Sequence, residues 1–309
     1  MAPVPARGGP EPLTGRVLGV VATGPLTTVQ DLGRPGLAAL GVGQSGAADA
    51  DALRLANRLV GNPEGHAGLE VTFGGLEVRG HGGMYVALAG APCAMVVDGR
   101  QVAPYGPVWL PDGATLRLDA PPCGLRSYLA VRGGIDVPPV LGSRATDTLA
   151  GLGPAPLAPG DQVQVGAPEA SMPGVDLATV RRPEPGEVRL RVVLGPRDDW
   201  FTPAARRALL SESYEVTAES NRVGMRLAGP ALERARDGEL SSEGMVCGAL
   251  QVPPSGQPTL FLADHPVTGG YPVIATVVAD DIGLASQARP GQVLRFTHAN
   301  RLEGSLRAH

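Results

Sequence analysis

The segment Ser241–Asp281, SSEGMVCGALQVPPSGQPTLFLADHPVTGGYPVIATVVADD, crowds reactive side chains between short apolar runs. Glu243, Asp264 and His265 are of the types that move protons, and they are the catalytic candidates. Gln251, Thr268, Gly269, Gly270 and Tyr271 are the candidates for binding a substrate or an anion, through side chains and through backbone amides at a glycine turn. A lone loop histidine would be structural. His265 sits between Asp264 and the Thr268-Gly269-Gly270-Tyr271 turn, so a structural and a proton-carrying role both stand.

Other chemistries are narrowed by what the chain lacks. All 26 basic residues are arginine, so no Schiff base, no Walker-type phosphate lysine and no Ser-Lys dyad can form. The 5 histidines make no H-x-x-x-H pair, and the 3 cysteines make no C-x-x-C, so neither a metal site nor a disulfide framework is expected. GVGQSG at 41–46 fits G-x-G-x-x-G, but no alternation of strands and helices follows it, which argues against a dinucleotide site. The same glycine turn, with Ser45 at a helix N-terminus, can still hold a phosphate or carboxylate on free N–H groups. Ser45 also reads as a helix N-cap, and the nucleophile elbow G-x-S-x-G fails because residue 47 is Ala. Arginines recur beside glycine turns: Arg34, Arg132, Arg144, Arg197 and Arg222. Their planar donor forks suit carboxylate, carbamoyl or phosphate groups, and Arg34, Arg132, Arg144 and Arg197 join Ser45 as anion-binding candidates.

The elements that must position these groups are mostly strands. With 44 glycines, 31 prolines and 43% apolar residues, the chain favours many short strands joined by turns. Net charge is −4 and charged residues make up 18%, which excludes a basic nucleic-acid footprint. No apolar run approaches a membrane span and no leader is evident, so a cytoplasmic location is expected. Short strands run from Leu69 to Gly134, with Asp98-Gly99 as a hairpin turn, and the spacing argues for a closed or nearly closed barrel. Residues 1–14 and 301–309 read as tails. Residues 15–166 read as an N-terminal β domain with one helix near 47–60, 167–187 as a linker, and 188–300 as a second β domain. Further short helices are expected from Thr202 to Leu210 and from Ile282 to Ala288. PGDQVQV (159–165) and PGQVLRF (290–296) end the two halves alike.

Several blocks together resemble one family: TVQDLGRPG (28–36), LRLANRLVGNP (53–63), LEVTFGG (69–75), LAVRGGIDVPPVLGSRATD (129–147), VLGPRDDWF (193–201) and SEGMVCGALQVPPSGQPTLFLADHPVTGGYPVIATV (242–277). This is the carboxyltransferase A/B-type domain family, also called allophanate hydrolase subunit 2. It includes the C subunit of bacterial ATP-dependent 5-oxoprolinase, the KipA protein and part of urea carboxylase. The resemblance covers roughly 16–298 and implies two cyclophilin-like β-barrel domains. It implies a B-subunit partner (allophanate hydrolase subunit 1-like), an A-subunit partner (LamB/YcsF-like), and ATP with Mg shared with the partner. In that reading the complex opens the lactam of 5-oxoproline to glutamate. Gly269, Gly270, Thr268 and Arg132 or Arg197 would then stabilise the activated carbonyl. Asp264 or Glu243 would orient the amide N–H, with His265 as proton carrier. The alternatives are a carboxyltransferase that takes a carboxyl group from biotin to a urea-like amide, and a non-catalytic KipA-like antagonist of a KipI-like partner. Cys247 stands where the family commonly has proline, and Pro266-Val267-Thr268 where it has a Gln-Thr-Thr-like run.

Overall fold

In the strand Leu76–His81, Leu76, Val78 and Gly80 are buried while Arg79 and His81 face solvent. That period of two recurs through the first half and builds two sheets. The computed structural model describes residues 15–180, 183–236, 238 and 240–299, and both sequence-read tails lie outside the described residues. One sheet has six strands in the order Gln162–Val165, Arg16–Thr23, Leu76–His81, Thr115–Leu118, Met95–Val97, Arg100–Val102. The other has five, in the order Leu26–Gln30, Gly68–Thr72, Arg126–Val131, Met84–Gly90, Val108–Leu110. Their inner faces share one core of residues such as Leu18, Val78, Leu116, Leu69, Leu88 and Leu129. At the Asp98-Gly99 hairpin both residues have positive φ (45° and 79°), the geometry of a two-residue turn between Met95–Val97 and Arg100–Val102.

The strand Arg126–Val131 is buried on both faces. Leu129 and Val131 enter the inter-sheet core, while Tyr128 and Ala130 meet the first helix, α1 (Ala50–Leu59). Alanines at 52 and 56 on the helix and at 87, 89 and 130 on the sheet let the two approach closely. The helix starts later than the sequence suggested. Asp49, not Ser45, is its N-cap, accepting from the Ala52 N–H at 3.1 Å. Residues 47 and 48 stay outside the helix, with their N–H groups taken by Asp31 O and the Glu70 carboxylate.

The second half is a closed barrel of Val188–Leu194, Val273–Val277, Ala249–Gln251, Thr259–Phe261, Gly224–Ala228, Ser213–Val216 and Val293–His298. Its core includes Leu190, Tyr214, Met225, Leu260, Ile274 and Phe296. Helix α2 (Pro203–Ser211) begins as expected at Thr202, whose hydroxyl accepts from Ala205 N–H at 3.1 Å. Helix α3 (Ala279–Ser286) starts before the expected Ile282 and carries Asp280 and Asp281 in its first turn. The fold is mainly β, as expected. The two similar half-endings diverge: Gln162–Val165 is an antiparallel sheet edge, whereas Val293–His298 closes the barrel by pairing parallel to Val188–Leu194.

Candidate active site

A cleft of about 650 Å³ lies between the halves. One wall is the loop Gly43–Ser45 and the start of α1. The other holds Met245, Val246, Cys247, His265 and Val267, with Ile282 and Gly283 of α3. Gly283 lets α3 reach the head of α1, since a Cβ there would lie 2.9 Å from Asp49 Oδ1. His265 Nδ1 is 2.8 Å from the carbonyl oxygen of Pro266. A carbonyl only accepts, so Nδ1 donates, and in the neutral form of this cleft-lining ring the lone pair is on Nε2. Burial pushes the neighbouring Cys247 thiol up to about 11, which leaves it a poor nucleophile near neutral pH.

Behind the cleft runs a buried ionic lattice that joins the halves. Arg222, 2% exposed, donates through Nε and Nη2 to Asp264 at 2.9 Å each, through Nη2 to Gly46 O at 2.6 Å, and through Nη1 to Glu70. Asp264 also accepts from Ser45 Oγ at 2.6 Å and from Thr148 N and Oγ1 at 2.9 and 2.7 Å. Glu70 accepts from Ala48 N–H at 3.0 Å and Tyr128 O–H at 2.8 Å, and Arg126 Nε lies 3.5 Å away. Burial works to raise both carboxyls. The facing guanidiniums, Arg222 and Arg126 for Glu70 and Arg222 for Asp264, outweigh it together with the hydrogen bonds and leave both below their ordinary values. Asp264, at 2% exposure, is therefore an ionised strut saturated with donors, and it fixes His265 next to it in the chain.

The other candidates divide by location. Glu243, Arg197, Gln251, Thr268, Gly269 and Tyr271 gather at a second place. The ribbon Glu243–Gly244 pairs with Thr268–Gly269, and Arg197 Nε lies 2.9 and 3.1 Å from the Glu243 oxygens. Gln251 Nε2 donates to Tyr271 O at 3.1 Å, and a Cβ on Gly269 would come within 2.5 Å of that nitrogen. Gly270 follows in the same turn, beside Leu240 O. The ribbon leads into the cleft wall through Met245 N–H to Val267 O, 2.9 Å. Arg34 lies under the first-half wall and donates to Ala145 O at 2.6 Å, with Asp147 at 4.0 Å. Arg132 and Arg144 are not brought to the cleft. Arg132 ties the connecting segment to α1 through Val60 O (2.9 Å) and Ala170 O, and Arg144 pairs with Asp136 at 3.0 Å.

Sequence reasoning missed Asp49 and Thr148 and gave Glu70 no structural partner. One signal was present: Glu70 stands between Leu69 and Val71 in a strand buried on both faces, where a carboxylate demands a cation. Asp49 lines the cleft from α1, accepting from Ala52 N–H and from Gln287 Nε2 at 2.8 Å. Burial raises its carboxyl above the ordinary value, the nearby charges of Asp51 and Glu70 add to this, and the two hydrogen bonds oppose it.

The profile described as "Carboxyltransferase domain, subdomain A and B" matches residues 40–298. The chain belongs to this carboxyltransferase family. It is 38% identical over 295 residues to the C subunit of the 5-oxoprolinase of Escherichia coli strain K12, across 94% of each chain. The crystal structure of TTHA0988 matches with a TM-score of 0.84 at 38% identity, over 93% of this chain and 57% of that one. This chain thus spans little more than half of that longer polypeptide. The K. lactis urea amidolyase matches with a TM-score of 0.85 at 29% identity, over 92% of this chain and 19% of that one. Judged by its own residues, this member of the carboxyltransferase family does not make a complete site for ATP with Mg. Among the described residues no cluster of His, Cys, Asp or Glu is arranged to hold a metal. Of the cleft arginines, Arg54 is paired with Asp51 at 2.8 Å, while Arg34 donates through Nη2 to Ala145 O and its buried Nη1 has no hydrogen-bond partner among the described residues.

Proposed function

We propose that this chain is the C subunit of an ATP-dependent 5-oxoprolinase-type complex, acting with a B-subunit partner (allophanate hydrolase subunit 1-like) and an A-subunit partner (LamB/YcsF-like). The observation that carries this reading is the mutual, near end-to-end match to a protein named as the C subunit of 5-oxoprolinase. The cleft is compatible with it. An apolar wall of Met245, Val246, Val267 and Ile282 suits ring methylenes, and the His265 Nε2 lone pair serves as the proton carrier. Mg and the nucleotide phosphates it holds are assigned to the partner's share of the site, since among the described residues no cluster of His, Cys, Asp or Glu is arranged to hold a metal.

The test is to purify the chain with its partner subunits and follow 5-oxoproline-dependent ATP hydrolysis and glutamate release. Turnover that requires this chain is expected. A complex that instead carboxylates urea in an avidin-sensitive way would overturn the reading in favour of a biotin-dependent carboxyltransferase, which the likeness to urea amidolyase supports as the second reading. Tight association with no turnover of either amide would point to a KipA-like binding role.

A further inference from the structure

Both proposed activities need the same step: an amide N–H must lose its proton as the amide bonds to an electrophile. His265 can carry a proton across the cleft, and a cleft carboxylate can take the N–H proton itself; the structure rules on each candidate carboxylate. Asp264 is behind the wall with its oxygens occupied by Arg222, Ser45 and Thr148. Glu243 is at the ribbon, paired with Arg197. Asp51 is solvent-exposed and paired with Arg54. Asp49 lines the cleft, on the wall contributed by the half opposite His265, and each of its oxygens accepts one hydrogen bond and keeps a lone pair.

We infer that Asp49 is a catalytic base of this cleft, taking the N–H proton of the substrate amide. The inference rests on the amide substrate of the proposed function and not on the choice between lactam and urea. In the step, the amide N–H bond breaks and an Asp49 O–H bond forms. The nitrogen's electron pair flows into the amide, whose lactam oxygen takes the terminal phosphoryl group of ATP with ADP leaving, or whose urea nitrogen takes the carboxyl group of carboxybiotin with the biotin ureido nitrogen leaving. For a lactam, water then adds to the activated carbon, the ring C–N bond breaks as Asp49 returns its proton to nitrogen, and a second water releases phosphate from the resulting acyl phosphate. The groups facing Asp49 suit a base: Asp51 on its own helix, Glu70 and Tyr128 from the sheet beneath, and the Gln287 amide after α3. Burial and the two neighbouring carboxylates strengthen its basicity above that of a free aspartate.

Asp49→Asn and Asp49→Ser separate this role from helix capping, because both replacements are good N-caps. In the purified complex, both variants are expected to lower kcat by about 100-fold or more with little change in KM and an unchanged melting midpoint. Wild-type kcat should fall as pH drops through the raised Asp49 midpoint, and the variants should lose that limb. Wild-type kcat in either variant overturns the inference, as does a loss of activity that only tracks a fall in melting midpoint in both. A wild-type complex with no 5-oxoproline-dependent ATP hydrolysis overturns the oxoprolinase reading alone. The variants are then scored on urea carboxylation with a biotin-carrier partner, where the same loss supports Asp49 and wild-type rates overturn it. A complex acting on neither amide overturns both.

Discussion

Arg222 shows how a single residue can matter more for where it stands than for what it reacts with. Its guanidinium bridges Glu70 of the first half and Asp264 of the second, 152 and 42 positions away. Arg222→Leu strands two buried carboxylates and is expected to cost roughly 3–5 kcal/mol in denaturant unfolding. Replacing Glu70, Arg222 and Asp264 together by apolar residues should cost less than the single change, because no charge is then left unpaired. His265 is the opposite case, since its side-chain hydrogen bond goes only to the adjacent Pro266 carbonyl. His265→Gln should leave unfolding unchanged and lower turnover of the complex by about 100-fold, read by steady-state kinetics. Asp264 and His265 were both legible in the sequence as polar neighbours. Which one was the strut was not, because Ser45 and Thr148 reach Asp264 from 219 and 116 positions away.

At the scale of elements, the helices show what local chemistry does and does not specify. Thr202-Pro203 set the start of α2, and Thr202→Ala should cost about 1 kcal/mol of stability by removing the cap. The start of α1 was misread because its first possible residues bond sideways to Asp31 and Glu70, contacts no local pattern announces. Strand types and the Asp98-Gly99 hairpin were plain, since alternation and turn chemistry are local. The pairing of eleven first-half strands into two sheets was not, because strand order is a long-range choice. The crossing of α1 and α3 is equally long-range, and it depends on one hydrogen. Gly283→Ala would press a methyl against Asp49 Oδ1, and a loss of about 1–3 kcal/mol is expected in thermal or chemical melts.

Across the whole molecule, the junction between halves is polar and ionised, and that gives it a pH signature. Glu70 and Asp264 titrate lower in the folded chain than unfolded, so their contribution is present above the ordinary values of 4.5 and 3.8 and is lost as pH falls through the folded midpoints. Asp49 is raised, so its contribution is present at acid pH and is lost as pH rises through its folded midpoint. Glu187 and Glu243, held by surface arginines, are depressed as well, so four depressed carboxyls against one raised one predict net acid destabilisation, seen as a melting midpoint that falls below about pH 4.5. Barrel closure has a different consequence, one of timing. Every strand of the first half finds its partners by Val165, but Val188–Leu194 waits for Val293–His298. At roughly 5–20 residues per second, about 100 residues of synthesis separate the two, so closure of the barrel comes several seconds or more after Val188–Leu194 is made. The cleft and its lattice need Arg222, Asp264 and Gly283, so both can form only after most of the second half has been synthesised.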